Sequence, residues 1–142
     1  MDYKKLSQEF LQMLYKYYQA RSQQQLNNAV HGEAFALQYI ALHDDVAVPS
    51  DIENAMSVSS ARIATILGRL EKRGWITRRI DPQDRRRVIL KLTESGEERA
   101  KKSEQELLAL VQRILEHLGE EDAKNYVRIM SKLAGLCNND WQ

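Results

Sequence analysis

The sequence predicts a mainly α-helical domain with one small β-hairpin, six helices in all. Three observations predict it. Apolar residues recur at helical spacing toward both ends of the 142-residue chain. Two short helix-forming stretches stand back to back near residues 51–73, joined by serines instead of a long loop. Two strand-like runs, 75–80 and 88–92, enclose a basic seven-residue turn that contains Pro82.

A chain of this length with 43% apolar residues can bury a core of its own, so a single domain, 1–142, is expected. The net charge of +1 hides an asymmetry. Between residues 59 and 92, ten Lys/Arg face three acids (Glu71, Asp81, Asp84), a local charge of +7 that leaves 1 − 7 = −6 for the rest. The single cysteine, Cys137, excludes an intrachain disulfide and suits a reducing compartment. The start, Met1-Asp2-Tyr3-Lys4-Lys5, opens no apolar run of signal-peptide or membrane-spanning length, so a soluble cytoplasmic protein is expected.

Taken in order, Tyr3, Leu6, Phe10, Met13, Leu14 and Tyr17 form one apolar stripe on a helix from Tyr3 to about Asn28. Such a stripe needs a partner, either the rest of the chain or a second copy. Residues 27–32, rich in Asn and ending in Gly32, read as a break. A short helix follows from Glu33 to about His43, with Phe35, Leu37, Tyr39, Ile40 and Leu42 apolar on most sides, as a buried helix requires. Residues 46–49 form an extended link.

Ser50-Asp51-Ile52-Glu53 has the spacing of a capping box, which predicts a helix starting at Asp51. Ser57-Val58-Ser59-Ser60 then brings a turn and a second cap, and the next helix runs from about Ser60 to Arg73. With Ile52, Ala55, Met56, Val58, Ile63 and Leu67 as the inward set, the pair fits a helix-turn-helix, although Ser57 and Glu53 stand where a glycine and a small residue are usual. At 100° per residue, Ile63, Ile66, Leu67 and Leu70 share one face of the second helix, and Ala61, Arg62, Thr65, Gly68, Arg69 and Lys72 the opposite one. That outer face, small in the middle and cationic at its flanks, suits a grooved partner.

Gly74 is placed to end this helix in a left-handed cap. The hairpin follows, and Thr93 caps a long helix from Glu94 to Leu118 whose polar first turns belong in solvent and whose later Leu107, Leu108, Val111, Ile114, Leu115 and Leu118 should pack. Gly119 separates it from a last helix, Glu120 to about Leu136, and residues 138–142 should fray.

The order of helix-turn-helix, Gly74, hairpin and Leu92-Thr93-Glu94-Ser95-Gly96 resembles the winged helix-turn-helix domain of the MarR family, the multiple antibiotic resistance regulators. Asp81-Pro82-Gln83-Asp84-Arg85-Arg86-Arg87 looks like that family's wing, and Leu70-Glu71-Lys72-Arg73-Gly74 like the end of its recognition helix. The resemblance implies a homodimer of six-helix subunits, with dimerisation helices at 1–30 and 94–142 and a DNA-binding lobe at 31–93. It implies a sequence-specific regulator of transcription, most simply a ligand-responsive repressor on a palindromic operator in double-stranded DNA. Ser59, Ser60, Ala61, Arg62 and Thr65 then meet base edges in the major groove, with Arg62 able to pair bidentately with guanine and Arg69 nearer a phosphate. Asp84 matches the family's acid that orients a minor-groove arginine, Arg86, while Arg85 and Arg87 reach phosphates.

Tyr15, Tyr18, His31, Tyr39 and His43 are the candidates for a small-molecule effector pocket; interface and core packing is the competing use. The three histidines, His31, His43 and His117, lack metal-ligand spacing, and neither a metal nor a cofactor is expected. Cys137 has no basic neighbour to activate it and reads as a packing residue. No nucleophile motif, phosphate-binding glycine loop or carboxylate pair appears, so an enzyme is not expected. The alternative function is a winged helix used as a protein-interaction module without sequence-specific DNA binding.

Overall fold

The computed structural model describes residues 1–136, with backbone alone at Ser22 and 28–31. Cys137, the terminal stretch expected to fray and the His31 side chain therefore lie outside the described residues. The chain forms two compact units, 1–105 and 106–142. Its described elements are α1 (Tyr3–Gln19), α2 (Arg21–His31), α3 (Glu33–Leu42), α4 (Pro49–Met56), α5 (Ser60–Lys72), β1 (Ile76–Ile80), β2 (Val88–Leu92), α6 (Glu94–Leu118) and α7 (Glu120–Leu136).

The first helix of the sequence reading is two helices. Ala20 takes extended backbone, ψ 138°, and its carbonyl accepts from the amides of Gln23 and Gln24 to begin α2. Neither Gly nor Pro marks the break, and the apolar spacing runs up to it without a warning. The expected break at 27–32 contracts to Gly32, which caps α3 from an extended conformation.

The core of the first unit is built where the apolar spacings converge. Residues Ile63, Ile66, Leu67 and Leu70 of α5, at i, i+3, i+4 and i+7, are all buried. They meet Leu37 and Ile40 of α3, Ile52 and Met56 of α4, Ile76, Leu90 and Leu92 of the hairpin, and Ala100 of α6. Each large aliphatic side chain removed from water in this way contributes about 1.5–3 kcal/mol, and this convergence fixes how α5 is presented. Two members of the expected core stand outside it. Leu42 is 72% exposed at the end of α3, and Ala55 is exposed on α4, so the helix-turn-helix closes through Ile52 and Met56 without it.

The hairpin is antiparallel, with Ile76 opposite Leu92 and Ile80 opposite Val88. The extended link before α4 joins it through one bond, in which the Leu90 amide donates to the Ala47 carbonyl at 2.8 Å. The start of α6 is fastened to the start of β1. The Thr93 amide donates to Trp75 O, the Thr93 hydroxyl donates to Gly74 O, and Thr93 Oγ1 accepts from the Gly96 amide. Gly96 lies so close to the backbone just before β1 that a Cβ there would sit 1.9 Å from the Trp75 carbonyl oxygen. Thr93, which reads as a simple cap, thus joins the end of α5, the wing and α6, and Gly96 permits their close approach.

The second unit comprises the later part of α6 and α7, separated by Gly119 at φ 81°. The expectation for α6 holds in part. Its first turns expose Glu94, Ser95, Glu97 and Glu98 but bury Gly96 and Ala100, and of its later apolar residues Leu107, Val111, Ile114 and Leu115 are half-buried, whereas Leu108 stays 62% exposed and Leu118 41%. In α7, Tyr126, Val127, Met130, Leu133 and Leu136 are likewise exposed, and α1 buries no residue. Gly96 at the start of α6 permits close approach to the backbone before the hairpin, while the apolar residues of α1 and α7 stay largely exposed.

Candidate nucleic-acid interface

The helix-turn-helix starts two residues earlier than the capping box predicts. Pro49 occupies the first turn of α4, Val48 is its cap residue, and no side chain caps it. Proline's missing amide costs nothing at that position and its fixed φ already suits a helix, so it displaces the Ser50 cap. Glu53, freed from a capping role, accepts instead from the Ser60 hydroxyl at 2.5 Å. The turn is made by Ser57 at φ 53°, ψ 45°, the left-handed conformation in which glycine is usual.

Ser59 caps α5, its hydroxyl oxygen accepting from the Arg62 amide at 3.2 Å. Thr65 donates its hydroxyl to the Ala61 carbonyl one turn back, at 3.0 Å. Ser59, Ser60, Ala61, Arg62, Thr65 and Arg69 are all exposed, the two serines at the start of the helix and the other four on the face opposite the buried stripe. The helix ends as expected, with Gly74 at φ 74° and the Trp75 amide reaching back to the Leu70 carbonyl at 3.0 Å.

The wing tip is braced by its own aspartates. Asp81 Oδ1 accepts from the Gln83 amide at 2.9 Å, and Asp84 Oδ1 accepts from the Arg86 amide at 3.0 Å. The same Asp84 oxygen lies 3.4 Å from Arg86 Nε, so this carboxylate both shapes the turn and holds the guanidinium. Arg86 remains 92% exposed, and Arg85 and Arg87 are exposed on either side of it.

Tertiary structure divides the ten cations of the basic segment into two groups. Six have carboxylate partners: Arg73 and Arg69 at Glu33 (2.5 and 3.9 Å), Arg78 at Glu71 (2.6 Å), Arg79 and Lys91 at Asp45 (3.6 and 3.3 Å), and Arg86 at Asp84. Among the described residues, Arg62, Lys72, Arg85 and Arg87 have none. Glu33 and Asp45 lie outside the basic segment, 40 and 46 residues from Arg73 and Lys91 in sequence, and no local pattern announces them. Arg73 and Arg99 also stand over the Trp75 ring, at 5.1 and 5.6 Å from its centroid, at the same junction that Thr93 fastens.

The effector candidates fall into separate groups. Phe35, Tyr39 and His43 stack along α3, Tyr39 on His43 at 4.0 Å, with His43 Nδ1 2.8 Å from the Tyr39 carbonyl. Tyr15 and Tyr18 are exposed on α1, 64% and 51%, and the ring contact there is Tyr17 with Tyr18. A surface pocket of about 350 Å³ opens beside Gln38, Ala41, Asp44, Leu92, Glu97 and Lys101, and of the described candidates Tyr15, Tyr18, Tyr39 and His43 none lines it. Among the described residues no helix is long and apolar enough to cross a membrane.

Comparison with known proteins fits this geometry. The MarR family model matches residues 33–88, from the start of α3 to the first residue of β2. The chain is 31% identical over 141 residues to the HTH-type transcriptional regulator YwhA of Bacillus subtilis, covering 94% of this chain and 99% of that one. It is 27% identical over 97 residues to the regulator YdgJ of the same organism, covering 68% of this chain and 59% of YdgJ. The fold matches Streptococcus pneumoniae FabT, solved in complex with DNA, with a TM-score of 0.67 at 20% identity over 97% of this chain and 99% of FabT. A relative that aligns along almost its whole length, a family match from α3 through the helix-turn-helix to the wing turn, and the shared winged-helix fold agree: the chain belongs to the MarR family.

Proposed function

We propose that this protein is a sequence-specific, double-stranded DNA-binding regulator of transcription that works as a homodimer in the cytoplasm, a repressor released by a small molecule. The observation that carries the DNA-binding reading is the division of cations. Tertiary contacts neutralise the strand arginines and leave Arg62 on the recognition helix, and Arg85 and Arg87 on the wing, exposed and with no carboxylate partner among the described residues. Those are the elements that enter or flank a DNA groove in winged helix-turn-helix proteins.

In this reading Ser59, Ser60, Ala61, Arg62 and Thr65 face base edges, and Arg69, shared with Glu33, sits at the margin near a phosphate. Arg86, held by Asp84, enters the minor groove between the phosphate contacts of Arg85 and Arg87. The exposed apolar stripes of α1, late α6 and α7 are covered by a second copy, so residues 1–30 and 94–142 dimerise and 31–93 form the DNA-binding lobe. Two symmetric recognition helices call for a palindromic operator with half-sites about one helical turn apart. The effector sits among the α3 ring stack and the α1 tyrosines once the dimer assembles. FabT, whose fold this chain shares, is solved with DNA, which supports the same partner here.

The test is binding to a random-sequence duplex across a salt series, followed by selection of bound fragments from genomic DNA. Affinity that falls steeply with salt, together with an enriched palindrome, is expected. No measurable affinity at low salt favours a protein-interaction module in its place.

A further inference from the structure

Glu53 is one of the two residues at which this chain departs from the usual helix-turn-helix composition, and the structure gives it a specific partner. Its Oε1 accepts the hydroxyl of Ser60 at 2.5 Å across the turn between α4 and α5. An ionised carboxylate has lone pairs and no proton to give, so Ser60 must be the donor. A serine hydroxyl has one donor and two acceptor lone pairs. With its only donor committed to Glu53, exposed Ser60 offers outward nothing but acceptance.

The neighbouring hydroxyls are polarised by the same logic. Ser59 spends acceptor capacity on the Arg62 amide and keeps its O–H free to donate. Thr65 donates to the Ala61 carbonyl and keeps only lone pairs and its methyl. The first turn of α5 therefore presents a donor at Ser59, an acceptor at Ser60 and a cationic donor at Arg62, in fixed order.

We infer that Glu53 is a specificity-determining residue that never needs to touch DNA: it converts Ser60 into an obligate acceptor and so selects a base with an exocyclic amino group. In the major groove those bases are adenine, through N6, and cytosine, through N4; guanine O6 and N7 and thymine O4 need a donor. The inference rests on the DNA-binding reading above, in which the N-terminal residues of α5 meet base edges. Glu53 acts as a positioning residue, and a purely structural role for it predicts lost stability with an unchanged base preference.

The test is in-vitro selection from randomised duplexes with the full-length wild-type protein, Glu53→Ala and Ser60→Ala, each checked by circular dichroism and thermal melting. The wild type should enrich one position in each half-site for adenine or cytosine over guanine and thymine by about three- to tenfold, the value of one net hydrogen bond. Glu53→Ala frees the hydroxyl to rotate and donate, so guanine and thymine should rise at that position alone, with the others unchanged. Ser60→Ala should flatten the preference at the same position, and it remains a valid test if Glu53→Ala does not fold. Wild-type, Glu53→Ala and Ser60→Ala proteins that select the same sequence at every position overturn the inference while leaving DNA binding intact. Failure of the wild type to enrich any sequence overturns the DNA-binding reading itself.

Discussion

Removing the wing cations that have no carboxylate partner should change the salt dependence of DNA binding, while removing a paired strand arginine should not. Arg85 and Arg87 are exposed and without an acidic partner among the described residues, whereas Arg78 is held 2.6 Å from Glu71. Each phosphate neutralised on B-DNA contributes about −0.9 to the slope of log K against log salt. Two arginines in each of two protomers amount to four contacts, so Arg85→Ala/Arg87→Ala should make the slope shallower by about 0.9 × 4, or roughly 3.6. Between 50 and 200 mM salt, wild-type affinity should then fall about a hundredfold more steeply than that of the double variant. Fluorescence anisotropy with a labelled random duplex measures both slopes without knowledge of the operator. Arg78→Ala is the control and should move the slope by less than about 0.5, because its charge is already engaged. Equal changes in the two proteins, or none in the wing variant, would show that intramolecular pairing does not decide which cations reach DNA.

Gly96→Ala places a methyl carbon 1.9 Å from the Trp75 carbonyl oxygen, with backbone on the other side of the clash, and should cost at least about 3 kcal/mol in urea unfolding. Thr93→Val keeps the shape but loses both the Gly96 cap and the bond to Gly74 O; a loss of about 1–2 kcal/mol is expected, with Thr93→Ser restoring most of it. Met130→Asp/Leu133→Asp alters side chains already 48% and 42% exposed in the single chain, so the first unit should keep its fold. If the dimer buries these four side chains at about 1.5 kcal/mol each, its dissociation constant should rise on the order of ten-thousandfold, visible as monomer by sedimentation velocity.

Much of this protein is determined locally, and those parts can be read from the chain. The i, i+3, i+4, i+7 spacing from Ile63 to Leu70 sets which face of α5 is buried, because a helix repeats every 3.6 residues whatever surrounds it. Gly74 stops that helix and Pro82 lies in the turn for backbone reasons intrinsic to those residues. Asp84 and Arg86, two positions apart in one tight turn, meet for the same local reason. The local rules mislead where two of them compete: Ser50 and Pro49 both start a helix, and the proline prevails because it needs no partner.

What only tertiary structure decided is pairing at a distance. The net +7 of the basic segment treats ten cations alike, yet Glu33 and Asp45, brought in by α3 and the loop after it, neutralise four of them, Glu71 and Asp84 within the segment hold two more, and Arg62, Lys72, Arg85 and Arg87 are left without a partner among the described residues. Glu53 meets Ser60 only because Ser57 turns the chain through a left-handed conformation. Gly96 is required by the Trp75 carbonyl just before β1, a constraint that no spacing rule contains. The apolar stripes of α1, α6 and α7 could be read as needing a cover, but only the structure shows which of their residues stay exposed: nearly all of those in α1 and α7, and Leu108 and Leu118 in α6. Spacing depends on the geometry of a single element and is carried by sequence, whereas charge pairing and burial depend on which distant surfaces the fold brings together.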